Sequence, residues 1–225
     1  MTELLECIEI ESAPNPSAAV IWMHGLGADG NDFAPIVPEL RIANAPAIRF
    51  VFPHAPMMPV TINNGYVMRA WYDVSFGDLE GKTKQADEKG VRASQAEIEK
   101  LIAREVARGV AANKIVIAGF SQGGAIALHT GLRHTHKLAG IMALSTYLPL
   151  AQTVAAEAAP ANRSIAVFYA HGTHDAVIPI ALAKASREAL QAAGYAVEWH
   201  DYPMQHSVCV EEIGDISRWL SRVLS

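Results

Sequence analysis

Five short, almost wholly apolar runs recur along the 225-residue chain, each with Gly or Pro close behind: Ala19 to Met23, Ile48 to Phe52, Lys114 to Ala118, Leu138 to Leu144 and Ile165 to Ala170. Strands of a parallel sheet read this way, because helices cover both faces and leave neither one to water. Helical patterns separate the runs. From Glu88 to Ala112 the residues Val91, Ile98, Leu101, Ile102 and Val106 fall at helical spacing, with charges on the other faces and Gly109 weakening the last turn. Further helices are predicted over Asp32 to Leu40, Gly123 to Thr135, Ala181 to Ala193 and Val210 to Leu224, and the alternating run Val197 to Tyr202 reads as a strand. The repeated βαβ order predicts an α/β fold with a mostly parallel central sheet and helices on both faces.

No repeat, linker or shift in composition divides residues 1–225, so a single domain is expected. The segment His54 to Lys89 stands apart. It is rich in Pro, Gly, Met and aromatic residues and shows no sustained period, which marks an active-site flap. A net charge of −5 offers no basic surface for nucleic acid or anionic membranes, so small neutral or apolar substrates fit better. Cys7 and Cys209 share neither a disulfide pattern nor a metal spacing. Glu3, Glu6, Glu9 and Glu11 stand where an export signal needs a basic start and an apolar run, so a reducing, cytoplasmic setting is expected. The uncharged stretches Ile115 to Leu132 and Leu138 to Ala156 contain too many Gly, Ser, Thr and Pro residues to span a bilayer and read as buried core.

Gly119-Phe120-Ser121-Gln122-Gly123 follows one apolar run and leads into a helical one, the strand-to-helix setting that a G-x-S-x-G motif requires. A serine there is exposed on a sharp turn, and the glycines let the two legs close on each other. Serine is a weak nucleophile, so it needs a histidine to take its proton and a carboxylate to hold that histidine. In this fold type the order is Ser, acid, His. Among the acids after Ser121, Asp175 lies just past an apolar run, at the carboxyl end of a strand, while the others read as surface charges. Only His200 and His206 follow it. His200 sits inside a strand, and His206 lies in the loop before the last helix, which favours His206 as base. His171, His174 and Asp175 lack a fourth ligand at a matching spacing, so neither metal nor cofactor is expected.

Acyl transfer also needs two fixed N–H donors for the tetrahedral oxyanion. The backbone of Gln122, at a helix N-terminus, is one candidate. The other is Leu26, in the loop His24-Gly25-Leu26-Gly27-Ala28-Asp29-Gly30, which lacks both dinucleotide and P-loop spacing.

Those segments, with Pro53-His54-Ala55-Pro56, Trp71-Tyr72-Asp73, Asp175-Ala176-Val177-Ile178-Pro179 and His206-Ser207-Val208-Cys209, make the chain resemble the phospholipase/carboxylesterase group of α/β-hydrolases, which includes bacterial carboxylesterases and acyl-protein thioesterases. The resemblance runs from about Val20 to Leu220. It implies an α/β-hydrolase fold with no large cap domain, Ser121, Asp175 and His206 as triad, and Leu26 and Gln122 as oxyanion donors. It also brings the Trp71-Tyr72-Asp73 loop close to an acyl groove, so Trp71, Tyr72 and the nearby Met68 become candidate substrate contacts. A homodimer is suggested by the resemblance alone. Arg69 and Gln205 depart from the Pro and Gly common in the group, and Arg69 is expected to alter the charge at the groove mouth. The reading favours a carboxylesterase, with an acyl-protein thioesterase or lysophospholipase as alternative and a silent ligand-binding protein of the same fold as the non-enzymatic one.

Overall fold

The structure is a computed structural model and describes residues 4–79 and 87–225. Its strands are β1 (Cys7–Glu11), β2 (Ala18–Met23), β3 (Ile48–Pro53), β4 (Met57–Val60), β5 (Tyr66–Arg69), β6 (Ile115–Phe120), β7 (Gly140–Leu144), β8 (Ala166–Gly172) and β9 (Val197–Tyr202). The helices are α1 (Phe76–Leu79), α2 (Glu88–Ala107), α3 (Gln122–Arg133), α4 (Val154–Glu157), α5 (Ile180–Ala192) and α6 (Val210–Leu224). Seven strands form one sheet in the order β1-β3-β2-β6-β7-β8-β9. All neighbours run parallel except β1, which pairs antiparallel with β3 through Ile8↔Phe52 and Ile10↔Phe50.

Alternate residues of each strand feed opposite faces of the sheet. Ile21, Ile117, Ile141 and Tyr169 pack with α2, α3 and α5, whereas Val20, Val116, Met142 and Phe168 pack with Trp219 and Leu220 of α6. Both faces are therefore covered. This is why the runs are apolar without alternation, and why β2 and β6 are buried at every position. No helix among the described residues is long and apolar enough to cross a membrane.

Two expectations about local structure are corrected. The helix expected over Asp32 to Leu40 is a short 3-10 segment, Ala34–Glu39, because Pro35 and Pro38 remove N–H donors that an α-helix would use. Gly109 does not merely weaken α2 but marks its end: it adopts a positive φ of 98°, and Val110 N–H closes on Glu105 O. The flap, without a sustained period in the sequence, still carries regular structure, since β4 and β5 form a hairpin closed at Asn64 and Gly65, both with positive φ. Its residues 80–86 lie outside the described residues. Asp87 fastens the flap to α2, its carboxylate accepting from Gly90 N–H as helix cap and from Asp73 N–H at 2.9 Å each.

Candidate active site

β6 ends and α3 begins at Ser121, whose backbone sits at φ 54°, ψ −121°, a conformation that costs energy in any residue but glycine. Two features hold it there. Ser121 N–H donates to Leu144 O at 2.8 Å, and the Thr146 hydroxyl donates to Ser121 O at 2.6 Å. Gly119 and Gly123 are required by close approach: a Cβ on Gly119 would stand 2.2 Å from the Gly123 backbone, and one on Gly123 would stand 2.4 Å from Met23 O. The Ser121 turn is thus wedged against the end of β2, where the loop with Leu26 begins.

Asp175 and His206 come from neighbouring strand ends. The loop after β9 hangs on the loop after β8 through Thr173 N–H to Tyr202 O at 2.8 Å and His174 N–H to Met204 O at 3.0 Å. His206 Nδ1 thereby reaches Asp175 Oδ2 at 2.7 Å, while Asp175 Oδ1 accepts from Val177 N–H at 2.8 Å and Ile178 N–H at 2.9 Å. Burial pushes the Asp175 pKa up, but the His206 hydrogen bond and the two amides outweigh it, and the net shift is downward. The Phe120 ring lies 4.7 Å from the His206 ring, which places His206 beside the strand end that carries Ser121. His200 is elsewhere, against Phe168 and Glu198. Gln205 leaves the loop intact, since its φ is not positive and the position does not need glycine.

Beside Ser121 lies a cavity of about 210 Å³, walled by Leu26, Ile62, Tyr72, Val74, Tyr147 and Ile178 and reached by Gln122. Neither Leu26 nor Gln122 donates its backbone N–H to a partner among the described residues, so both donors remain available to a bound oxygen. Of the three expected substrate contacts, Tyr72 lines this cavity and Trp71 and Met68 do not. Trp71 is a brace: its backbone N–H donates to Gln122 Oε1 at 2.8 Å and its indole N–H to His24 O at 2.9 Å. Gln122 Nε2 in turn donates to Tyr72 O at 2.7 Å. Met68 packs behind Leu26 with Met58 and Ile62. Arg69 is also displaced from its expected role, because its guanidinium donates to Ala55 O at 2.7 Å and lines a separate open groove of about 630 Å³ behind Trp71, which Ser121 does not line.

The sequence reading missed Thr146 and Tyr147, which directly follow Ser145 beyond the end of β7. The rule that sites gather at the carboxyl ends of parallel strands points to them as it did to Asp175. Tyr147 hydroxyl meets Tyr72 hydroxyl at 2.8 Å, and burial raises both phenols, Tyr147 to about 12, so the pair stays neutral.

The Phospholipase/Carboxylesterase family model matches residues 5–224. A Neurospora crassa protein named acyl-protein thioesterase 1 is 41% identical over 215 residues, covering 92% of this chain and 87% of its own. A Gibberella zeae protein of the same name is 37% identical over 219 residues, covering 95% and 93%. The crystal structure of Zea mays acyl-protein thioesterase 2 superposes with a TM-score of 0.83 at 27% identity, covering 97% of this chain and 99% of its own. A match over nearly the whole chain, on this sheet and these strand ends, places the protein in the phospholipase/carboxylesterase family of α/β-hydrolases, a carboxylic ester hydrolase by membership.

Proposed function

We propose that the chain is a serine hydrolase that cleaves acyl thioesters of the acyl-protein type, with carboxylic esters as further substrates. The Asp175–His206 bond of 2.7 Å, presented beside Ser121 on a strained turn, carries this reading. The sequence alone favoured a general carboxylesterase. The relatives named acyl-protein thioesterase, at 37% and 41% identity, support the alternative instead.

In this reading Ser121 Oγ attacks the acyl carbon while His206 Nε2 takes its proton and Asp175 stabilises the resulting imidazolium. The carbonyl oxygen becomes an oxyanion held by the N–H groups of Leu26 and Gln122, worth a few kcal/mol each. Its collapse expels the thiol, which receives the proton from His206, and leaves an acyl-Ser121 ester. Water, deprotonated by His206, then attacks that ester and releases the carboxylic acid. The acyl chain occupies the cavity with Tyr72 as a wall, and Trp71 and Met68 support it from behind. A homodimer and a cytoplasmic, reducing setting belong to the same proposal, in keeping with two unpaired cysteines.

A fluorophosphonate probe together with palmitoyl and p-nitrophenyl ester substrates tests the reading. Labelling that disappears in Ser121→Ala along with hydrolysis supports it. Hydrolysis that survives in Ser121→Ala overturns it, and a protein that takes neither probe nor substrate is the silent binding protein.

A further inference from the structure

Leu26 N–H belongs to the peptide unit that it shares with Gly25, and His24 holds the other end of that unit. Ala55 N–H donates to His24 Nε2 at 3.0 Å, so Nε2 carries the lone pair and the ring proton is on Nδ1. Nδ1 lies 2.7 Å from Gly25 O, which therefore accepts from it. A trans peptide points its C=O and N–H in opposite directions. A carbonyl tied back to His24 turns the Leu26 N–H the other way, and Leu26 lines the cavity beside Ser121.

We propose that His24 is a positioning residue for the oxyanion hole, clamping the Gly25–Leu26 peptide so that its N–H and not its C=O faces the reacting carbonyl. Ala28 N–H also donates to Gly25 O, at 3.3 Å, so His24 supplies the shorter of two holds on a peptide that, next to a residue without Cβ, turns over at little steric cost. The loop passes close to the nucleophile turn: a Cβ on Gly25 would stand 3.4 Å from Ser121 Cβ and from the Phe120 ring, in van der Waals contact with both. Glycine leaves a loose joint beside Ser121, and His24 tightens it. The histidine is itself fixed, being 2% exposed, with its ring against Trp71 at 5.3 Å and its carbonyl accepting the Trp71 indole N–H. Burial lowers its pKa, which keeps the acceptor at Nε2 available to Ala55. Trp71 also holds Gln122 Oε1, so one residue braces both segments that supply oxyanion donors.

The inference rests on the proposed serine chemistry, and the experiment separates the two. His24→Ala, His24→Gln and His24→Asn are compared with wild type and Ser121→Ala for kcat, KM and thermal melting. Inhibition is measured with an alkyl trifluoromethyl ketone, which places an oxyanion in the hole, and with an alkyl alcohol of equal length, which does not. Gln can keep the Ala55 bond and lose the one to Gly25; Asn can do the reverse, with Nδ2 in the place of Nδ1. Expected in His24→Ala and His24→Gln is a fall in kcat of about 10²-fold with KM little changed, the scale of one lost oxyanion donor. Ketone affinity falls in step and alcohol affinity holds, while His24→Asn recovers part of kcat. If His24→Ala does not fold, His24→Gln carries the test alone. A folded variant lacking the Gly25 bond with kcat within threefold of wild type overturns the inference, as does equal loss of ketone and alcohol affinity. Activity that persists in Ser121→Ala overturns the proposed function itself.

Discussion

The hydroxyls of Tyr72 and Tyr147 meet at 2.8 Å in the wall of the cavity next to Ser121, both side chains almost wholly buried. Removing one hydroxyl leaves the other without its partner in a dry place, whereas removing both leaves nothing unpaired. Tyr72→Phe and Tyr147→Phe should each destabilise the fold by about 1–3 kcal/mol, and the double variant by less than the sum. Urea unfolding of the four proteins measures the coupling. The double variant should also shift kcat/KM toward longer acyl esters, because its cavity wall is wholly apolar.

Asp175→Asn should lower kcat by about 10³–10⁴-fold with melting near that of wild type. One amide oxygen can still accept from Val177 and Ile178, but the NH₂ would then face His206 Nδ1 and force the opposite tautomer. Steady-state kinetics beside a thermal melt checks both halves of this expectation.

Gln122→Leu strands the buried Trp71 N–H and Tyr72 C=O that the amide now joins. The expected cost is about 1–3 kcal/mol of stability for each group left unsatisfied. Urea unfolding reads that cost, and a drop in kcat should accompany it as the flap loosens from the nucleophile turn.

Stability should depend on pH from two buried groups of opposite sign. Burial pushes Glu212 up to about 8 from 4.5, with the Cys209 amide offsetting part of the shift. The folded chain then keeps a proton that the unfolded chain releases, so stability falls as pH rises from about 4.5 to about 8 and levels off above. Burial, aided by Arg133 and Arg92, lowers His129 to about 3, so the unfolded chain takes a proton first and stability falls as pH drops from 6.5 toward 3. Melting temperatures across pH 4 to 9 check both limbs. Glu212→Gln should raise the melting point at pH 9 and leave pH 4 unchanged, and His129→Leu should flatten the acid limb.

The parallel strands and the pairing of Asp175 with His206 were legible because both leave one-dimensional traces. Burial on both faces produces apolar runs, and the strand-end rule with the Ser, acid, His order selects Asp175 and His206. β1 left a trace that went unused: Ile8 and Ile10 pack on the core and Glu9 and Glu11 alternate with them, the period of a half-buried edge strand. The braces left none. Trp71 to Gln122 and Tyr72 to Tyr147 join positions 51 and 75 residues apart. The role of His24 depends on which ring nitrogen an amide from Ala55 meets, and no local pattern encodes that. Chain order excludes His24 as the base and says nothing of it as a clamp.

At φ 54° and ψ −121°, position 121 is one that glycine would occupy at lower cost than serine. Ser121→Gly should therefore yield an inert protein that melts above the wild type, and differential scanning calorimetry reads that gain. The serine at position 121 then opposes the fold it belongs to. At this one position selection for hydrolysis, on the proposed function, would hold the chain below the durability that glycine would give it.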